Sequence, residues 1–328
     1  MRTPILLLAS LCLVCNPAFA ADPPAPKPPA KKKAAPAPLS PPPTMADVHY
    51  GKHPKQVLHF WKADSDKPAP LLFFIHGGGW QAGDRSSVAS LLKPMLKSGI
   101  SVVSVEYRFI AEATADGEKP PVRGPLYDAA HALQFVRNKA GEWNIDKRRV
   151  GASGGSAGAC TSLWLAFHPD LADPNSSDPM LRESTRLWCA AVTVPQTTLD
   201  PKQMKEWTPN SRYGGHAFGF QPDKEKKLSQ FDVFLANREQ ILPWIAEYSP
   251  YALVTPDDPP IYMTFPTPPA LGQDQKDPTH TANFGVKLQE RCREQGVECE
   301  LVYPGAPDVK HPKVEDYLLD KLKGQTTR

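Results

Sequence analysis

The chain has 328 residues, with 38 Lys and Arg against 35 Asp and Glu and a formal net charge of +3. Most of that surplus lies at the front: residues 1–44 carry Arg2, Lys27, Lys31, Lys32 and Lys33 against Asp22 alone. The remaining body is close to neutral, which argues against a binder of nucleic-acid backbones, since such a protein needs a basic face to release counterions. With 41% hydrophobic and 9% aromatic residues, the body is rich enough to bury about three quarters of its unfolded surface as one large domain.

Arg2, the apolar run Ile5 to Cys15 and then Ala18-Phe19-Ala20 read as a secretory signal over residues 1–20, with a small-x-small cleavage site. The run is too short to span a bilayer, so the mature chain is expected to carry no membrane span and to be exported, periplasmic or secreted. Residues 21–44 hold ten of the 38 prolines and almost no bulky apolar side chains. They cannot offset the entropy of ordering and read as a disordered, semi-rigid Pro/Lys-rich spacer. The folded domain is expected over residues 45–328. Four cysteines remain after cleavage, Cys160, Cys189, Cys292 and Cys299; the last two flank a turn at Gly296 that a disulfide could close. No spacing of His, Cys, Asp and Glu resembles a metal site.

Along the body, Gln56–Lys62 alternates like a strand, and Leu71–Ile75 and Ile100–Tyr107 are buried-strand runs. A helix is expected near Val88–Leu96 and another near Pro125–Ala140. Arg149–Gly154 reads as a strand and a helix opens at Ser156. Cys189–Val194 and Ile261–Phe265 are short apolar strands, and the chain closes with helix Asn283–Glu294, strand Glu298–Tyr303 and helix Val314–Lys323. This alternation predicts an α/β fold with a mostly parallel central sheet and helices on both faces. Residues 197–259 break the rhythm and are expected as an insertion after the sixth strand.

Two glycine-rich turns end buried strands. His76-Gly77-Gly78-Gly79-Trp80 offers backbone amides unshielded by Cβ atoms, suited to a developing negative charge. Gly154-Gly155-Ser156-Ala157-Gly158 fits a nucleophile elbow, with the serine in a strained strand-to-helix turn. Gly151-x-Ser153-x-Gly155 is a second match, disfavoured because Ser153 would start its helix with two glycines.

These turns, with Tyr107-Arg108 and Asp128 between them, resemble the α/β-hydrolase superfamily over about residues 50–325. The likeness is to the hormone-sensitive-lipase-like and feruloyl/acetyl-xylan-esterase-like serine carboxylesterases. It implies Ser156 as nucleophile and the amides of Gly78, Gly79 and Ala157 as an oxyanion hole. It places the acid after Ile261–Phe265, where Asp277 is preferred over Asp274. It places the base after the last strand, where this chain has Asp308 at the family's position and the nearest imidazole is His311. His280 is the second candidate, sharing a loop with Asp277; His216 in the insertion is a candidate pocket residue. The expected substrate is a small-molecule or polysaccharide ester, with no cofactor or metal. The rival expectation is a hydrolase-fold binding protein lacking a working base, favoured by Asp308.

Overall fold

The computed structural model describes residues 39–324; the expected signal over 1–20 and most of the expected spacer lie outside the described residues. Eight strands form one sheet: β1 Met45–His49, β2 Val57–Trp61, β3 Ala69–Ile75, β4 Ser101–Val105, β5 Ile145–Gly155, β6 Cys189–Thr193, β7 Ile261–Thr264 and β8 Cys299–Val302. Eleven helices accompany them: α1 Ala89–Lys97, α2 Ile110–Ala115, α3 Arg123–Asn138, α4 Ala140–Trp143, α5 Ala157–Phe167, α6 Pro201–Trp207, α7 Gln230–Ala236, α8 Leu242–Tyr248, α9 Pro250–Leu253, α10 Ala282–Gln295 and α11 Val314–Lys323.

The strand order is β1-β2-β4-β3-β5-β6-β7-β8. β1 and β2 run antiparallel to their neighbours, and the other pairings are parallel. This is the mostly parallel sheet of an α/β-hydrolase fold. Every residue of β3 and β4 is buried, as covering both faces of a parallel sheet requires. One face packs against α3, α5 and α10 through Leu133, Leu163, Trp164 and Leu288. The other packs Leu72, Phe74 and Val102 against α1 and α11 through Leu92, Met95, Leu318 and Leu322.

Two differences from the sequence reading have plain causes. β1 was not expected: its residues are mostly exposed or half-buried, so it lacks the alternation that marks a strand. The last six residues of the expected spacer lie against the body. Leu39 packs on the α1/α11 layer, the Trp61 indole donates to the Pro41 carbonyl at 3.0 Å, and the Lys62 amide donates to Thr44 Oγ1 at 2.9 Å. Residues 197–259 lie between β6 and β7 and contain α6 to α9, so the stretch that lost the strand–helix rhythm is locally helical. Cys160, Cys189, Cys292 and Cys299 are free thiols. Cys292 and Cys299 are joined by a hydrogen bond rather than a disulfide, and that bond together with burial holds the Cys299 thiol well above its ordinary value.

Candidate active site

β5 ends at Gly155, and Ser156 follows with φ 53° and ψ −121°, directly before the first residue of α5. A non-glycine residue in that region stores strain and persists only where its surroundings over-determine it. Here the Ser156 amide donates to the Thr193 carbonyl of β6 at 3.0 Å, and the Ser156 carbonyl accepts from the Cys160 amide of α5 at 2.9 Å. The flanking glycines are sterically required. A Cβ on Gly154 would lie 2.3 Å from the Ile75 carbonyl oxygen, and one on Gly158 would lie 2.1 Å from the same oxygen. Helix, turn and β3 therefore meet at a distance that only hydrogen side chains allow. Ser153 is buried in the body of β5, which removes it as an exposed nucleophile.

The His76–Trp80 loop lies beside this turn: a Cβ on Gly77 would be 2.6 Å from the Gly155 carbonyl oxygen and 3.5 Å from Ser156 Cβ. Gly78, Gly79 and Trp80 have φ of 109°, 62° and 56°, a run that turns successive peptide planes and that glycine makes accessible. The loop is held from below. His76 stacks on Tyr107 at 4.3 Å between ring centroids, the Tyr107 hydroxyl donates to the His76 carbonyl at 2.8 Å, and His76 Nε2 lies 3.5 Å from the buried Glu106 carboxylate. Burial raises the Glu106 carboxyl, but His76, Lys55 and Arg85 outweigh it, and the group lies below its ordinary value. The Trp80 indole donates to Thr161 of α5 at 3.0 Å. Among the described residues, the amides of Gly78, Gly79 and Ala157 meet no acceptor. Tyr107-Arg108 and Asp128, part of the sequence resemblance, form a frame beside the loop, with Arg108 donating to buried Asp128 through Nε at 3.0 Å and Nη2 at 2.8 Å.

The imidazole beside the serine is His280. Ser156 Oγ lies 2.9 Å from His280 Nε2, and His280 Nδ1 lies 2.9 Å from Asp277 Oδ2. With the proton on Nδ1, the ring donates to the carboxylate and accepts from the serine hydroxyl. The Thr279 amide donates to the other Asp277 oxygen at 3.1 Å. Burial raises the Asp277 carboxyl, but the hydrogen bond and charge of His280 and the amides of Thr279 and His280 outweigh it, leaving the carboxyl below its ordinary value. Asp274, the alternative acid, is exposed on the same loop.

His311, the imidazole expected beside Ser156, is placed elsewhere. Its backbone amide donates to Glu300 Oε1 at 2.6 Å, its Nδ1 lies 2.7 Å from Glu300 Oε2, and its Nε2 lies 3.3 Å from Asp320 Oδ2. Both ring nitrogens are thus engaged by carboxylates of β8 and α11, and the ring is buried against Tyr317. The i,i+3 spacing of Asp277 and His280, which counted against His280 because both hang from one loop, lets one short turn present the pair together to the serine.

Beside Ser156 opens a cleft of about 690 Å³, lined by Ser90 and Leu91 of α1, Thr193 and Val194 at the end of β6, and Val314 and Glu315 of α11. The insertion reaches the His76–Trp80 loop through His216. His216 Nε2 donates to the Gly79 carbonyl at 3.2 Å, and its ring meets Tyr213 edge-on at 4.8 Å. Burial lowers His216 below its ordinary value, against the effect of that bond.

Comparison with known proteins places the chain among esterases. The BD-FAE family model matches residues 59–267. Gut esterase 1 of Caenorhabditis elegans is 30% identical over 159 residues, 45% of this chain and 27% of that protein, so the chain spans about a quarter of the length of this curated relative. Among solved structures, a truncated form of a carbohydrate esterase from gut microbiota has a TM-score of 0.61 at 17% identity, covering 85% of this chain and 96% of that one. Esterase 2 of Thermogutta terrifontis, phosphonylated by sarin, has a TM-score of 0.60 at 21% identity, covering 86% and 93%. With a family model that runs from β2 through β7, across both glycine turns and the serine, the chain belongs to the BD-FAE family.

Proposed function

We propose that this chain is an exported serine hydrolase of carboxylic esters in which His280, not His311, is the base. The observation that carries the reading is the continuous relay from Ser156 Oγ through His280 to Asp277, with both contacts at 2.9 Å. Geometry of this kind defines a triad by roles rather than by sequence position.

In the reaction, Ser156 Oγ attacks the ester carbonyl carbon and its proton passes to His280 Nε2. The carbonyl oxygen becomes an oxyanion facing the amides of Gly78, Gly79 and Ala157, which are free to donate. When the tetrahedral carbon collapses, the bond to the alcohol oxygen breaks and His280 returns its proton to that oxygen. A water then attacks the acyl-serine, giving its proton to His280, and the acid leaves as Ser156 Oγ is reprotonated. Asp277 holds the imidazole in the Nδ1–H form and stabilises the transient imidazolium. The rival reading as a binding protein rested on Asp308 at the base position; an imidazole supplied by the loop after β7 takes away its main support.

Two wider statements belong to the same proposal. Export rests on the signal-like residues 1–20, and no helix among the described residues is long and apolar enough to cross a membrane. Acyl esters on polysaccharide are the favoured substrates, supported by the likeness to a carbohydrate esterase and by a cleft roomy enough for a group larger than acetyl. The test is hydrolysis of a short-chain aryl ester by the purified mature chain, beside Ser156→Ala, His280→Ala and His311→Ala. Loss in the first two with retention in the third supports the reading. Equal rates in wild type and Ser156→Ala would end the esterase assignment, and loss in His311→Ala alone would restore the base to the loop after β8.

A further inference from the structure

A triad whose acid and base hang from one loop depends on whatever fixes that loop to the serine. Besides backbone bonds such as that from the Gly272 amide to the Trp207 carbonyl at 3.0 Å, three amide side chains fasten the segment 265–281. Asn283 of α10 accepts from the Ala270 amide at 2.7 Å and donates to the Trp207 carbonyl of α6 at 2.8 Å. Asn210 of the insertion exchanges two bonds with the backbone of Gln275, at 2.8 and 3.0 Å. The third is Gln196, fully buried, whose Nε2 lies 2.7 Å from the Thr279 carbonyl oxygen and 3.4 Å from the Val194 carbonyl oxygen.

Only the third holds the peptide that leads into His280. The Thr279 carbonyl is half of the Thr279–His280 peptide group, so a donor fixed on that oxygen fixes the plane from which the His280 side chain departs. The other end of Gln196 is tied to the nucleophile. It follows β6, where the Thr193 carbonyl accepts from the Ser156 amide and the Val194 amide donates to the Thr264 carbonyl at 2.9 Å. Val194 itself sits at φ 45°, a strained position for a β-branched residue that directs the chain back toward the loop. Both acceptors of the amide are carbonyl oxygens, so its NH₂ end faces them. Its Oε1 is buried and, among the described residues, has no hydrogen-bond partner. An apolar side chain of the same length would spare the buried Oε1 but would leave the Thr279 carbonyl without this donor, so the amide is kept for what its NH₂ end holds.

We propose that Gln196 is a positioning residue that sets the distance between His280 and Ser156 by bridging the turn after β6 to the acid–base loop. It touches neither substrate nor the reacting atoms. The inference rests on His280 as base. The experiment is Gln196→Met in the mature chain, which keeps length and removes both donors, with Gln196→Asn as a shorter amide should the first not fold.

The expected result is a kcat for a short-chain aryl ester lowered about 10- to 100-fold, the size of loss that a misplacement of an ångström produces. KM should stay within about twofold and the melting temperature should fall by only a few degrees, as the Thr279 and Val194 carbonyls lose their donor, a split that loss of fold would not give. Phosphonylation of Ser156 by a fluorophosphonate should slow in proportion, because that reaction needs the same base. A folded Gln196→Met with wild-type kcat overturns the proposal while leaving the triad intact, provided His280→Ala in the same series is inactive. If His280→Ala is fully active, the base assignment fails first and the bridge loses its role with it.

Discussion

Two loops of this molecule each carry an aspartate and a histidine three residues apart, and they do opposite things with them. After β7, Asp277 and His280 project over the nucleophile with the carboxylate largely exposed, and the imidazole keeps one nitrogen for its acid and one for Ser156. After β8, Asp308 and His311 stand where the wider superfamily led us to expect the base. There Asp308 is exposed, and His311 is buried with both nitrogens taken by Glu300 and Asp320. A general base needs a free lone pair aimed at a proton; a histidine with both ring nitrogens against carboxylates has none to offer the serine. The difference lies in what surrounds each ring, and proximity in sequence to the expected position says nothing about that.

The strongest way to break this comparison is to remove one member from each loop. Ser156→Ala and His280→Ala should each lower kcat by about 10³- to 10⁶-fold, with residual rate from the oxyanion amides and binding. The two losses should not add in the double variant, because the groups act as a unit. Single-turnover kinetics with an aryl ester would read this, and a His280→Ala enzyme within tenfold of wild type would reverse the roles given to the two loops. Asp277→Asn should cost less, about 10- to 10³-fold, below the ~10⁴ seen for a buried triad aspartate, because this carboxylate is largely open to solvent and water can take over part of its role.

His311→Ala should leave kcat within about twofold while lowering stability. Removing the ring leaves Glu300 and Asp320 without their shared partner, and loss of a largely buried, charge-assisted hydrogen bond typically costs about 1–3 kcal/mol. Urea unfolding would measure it, and an unchanged midpoint would show that the Glu300 and Asp320 contacts contribute nothing.

Much of this was legible in the residues themselves. The glycines of the two turns announced their strain and close approach, and Gly77, Gly78, Gly154 and Gly158 each proved to sit against a carbonyl oxygen that forbids a Cβ. The buried strands were legible because a parallel sheet hides both faces and so needs uninterrupted apolar runs. Which imidazole meets the serine was not, because a histidine's neighbours come from distant parts of the chain. Glu300 and Asp320 close on His311 across β8 and α11, while His280 is presented by a loop that Gln196, Asn210 and Asn283 fasten. A buried amide holding a carbonyl leaves no spacing or periodicity to read. The insertion was unreadable for the same reason: its role in holding the Gly79 carbonyl through His216 and the acid–base loop through Asn210 is a matter of long-range contact.

The smallest expected effect separates the loops by pH. Asp277 and Asp320 both lie below the ordinary carboxylate value: for each, burial acts upward and is outweighed, at Asp277 by His280 and backbone amides, and at Asp320 by Lys310, His311 and Lys321. A carboxyl depressed in the folded state stabilises it at pH values above the unfolded value of about 3.9, and that contribution is lost as pH falls through the lower folded value. Both side chains are about half or more exposed, so screening holds each contribution under about 1 kcal/mol. Urea midpoints compared at pH 7 and pH 3 should therefore show that Asp277→Asn and Asp320→Asn each cost a little at pH 7, with the difference from wild type shrinking toward zero at pH 3. Only the first should also slow ester hydrolysis at pH 7. If Asp320→Asn slows it equally, the loop after β8 is coupled to the chemistry, and the division of labour between the two histidines is less complete than their hydrogen bonds imply.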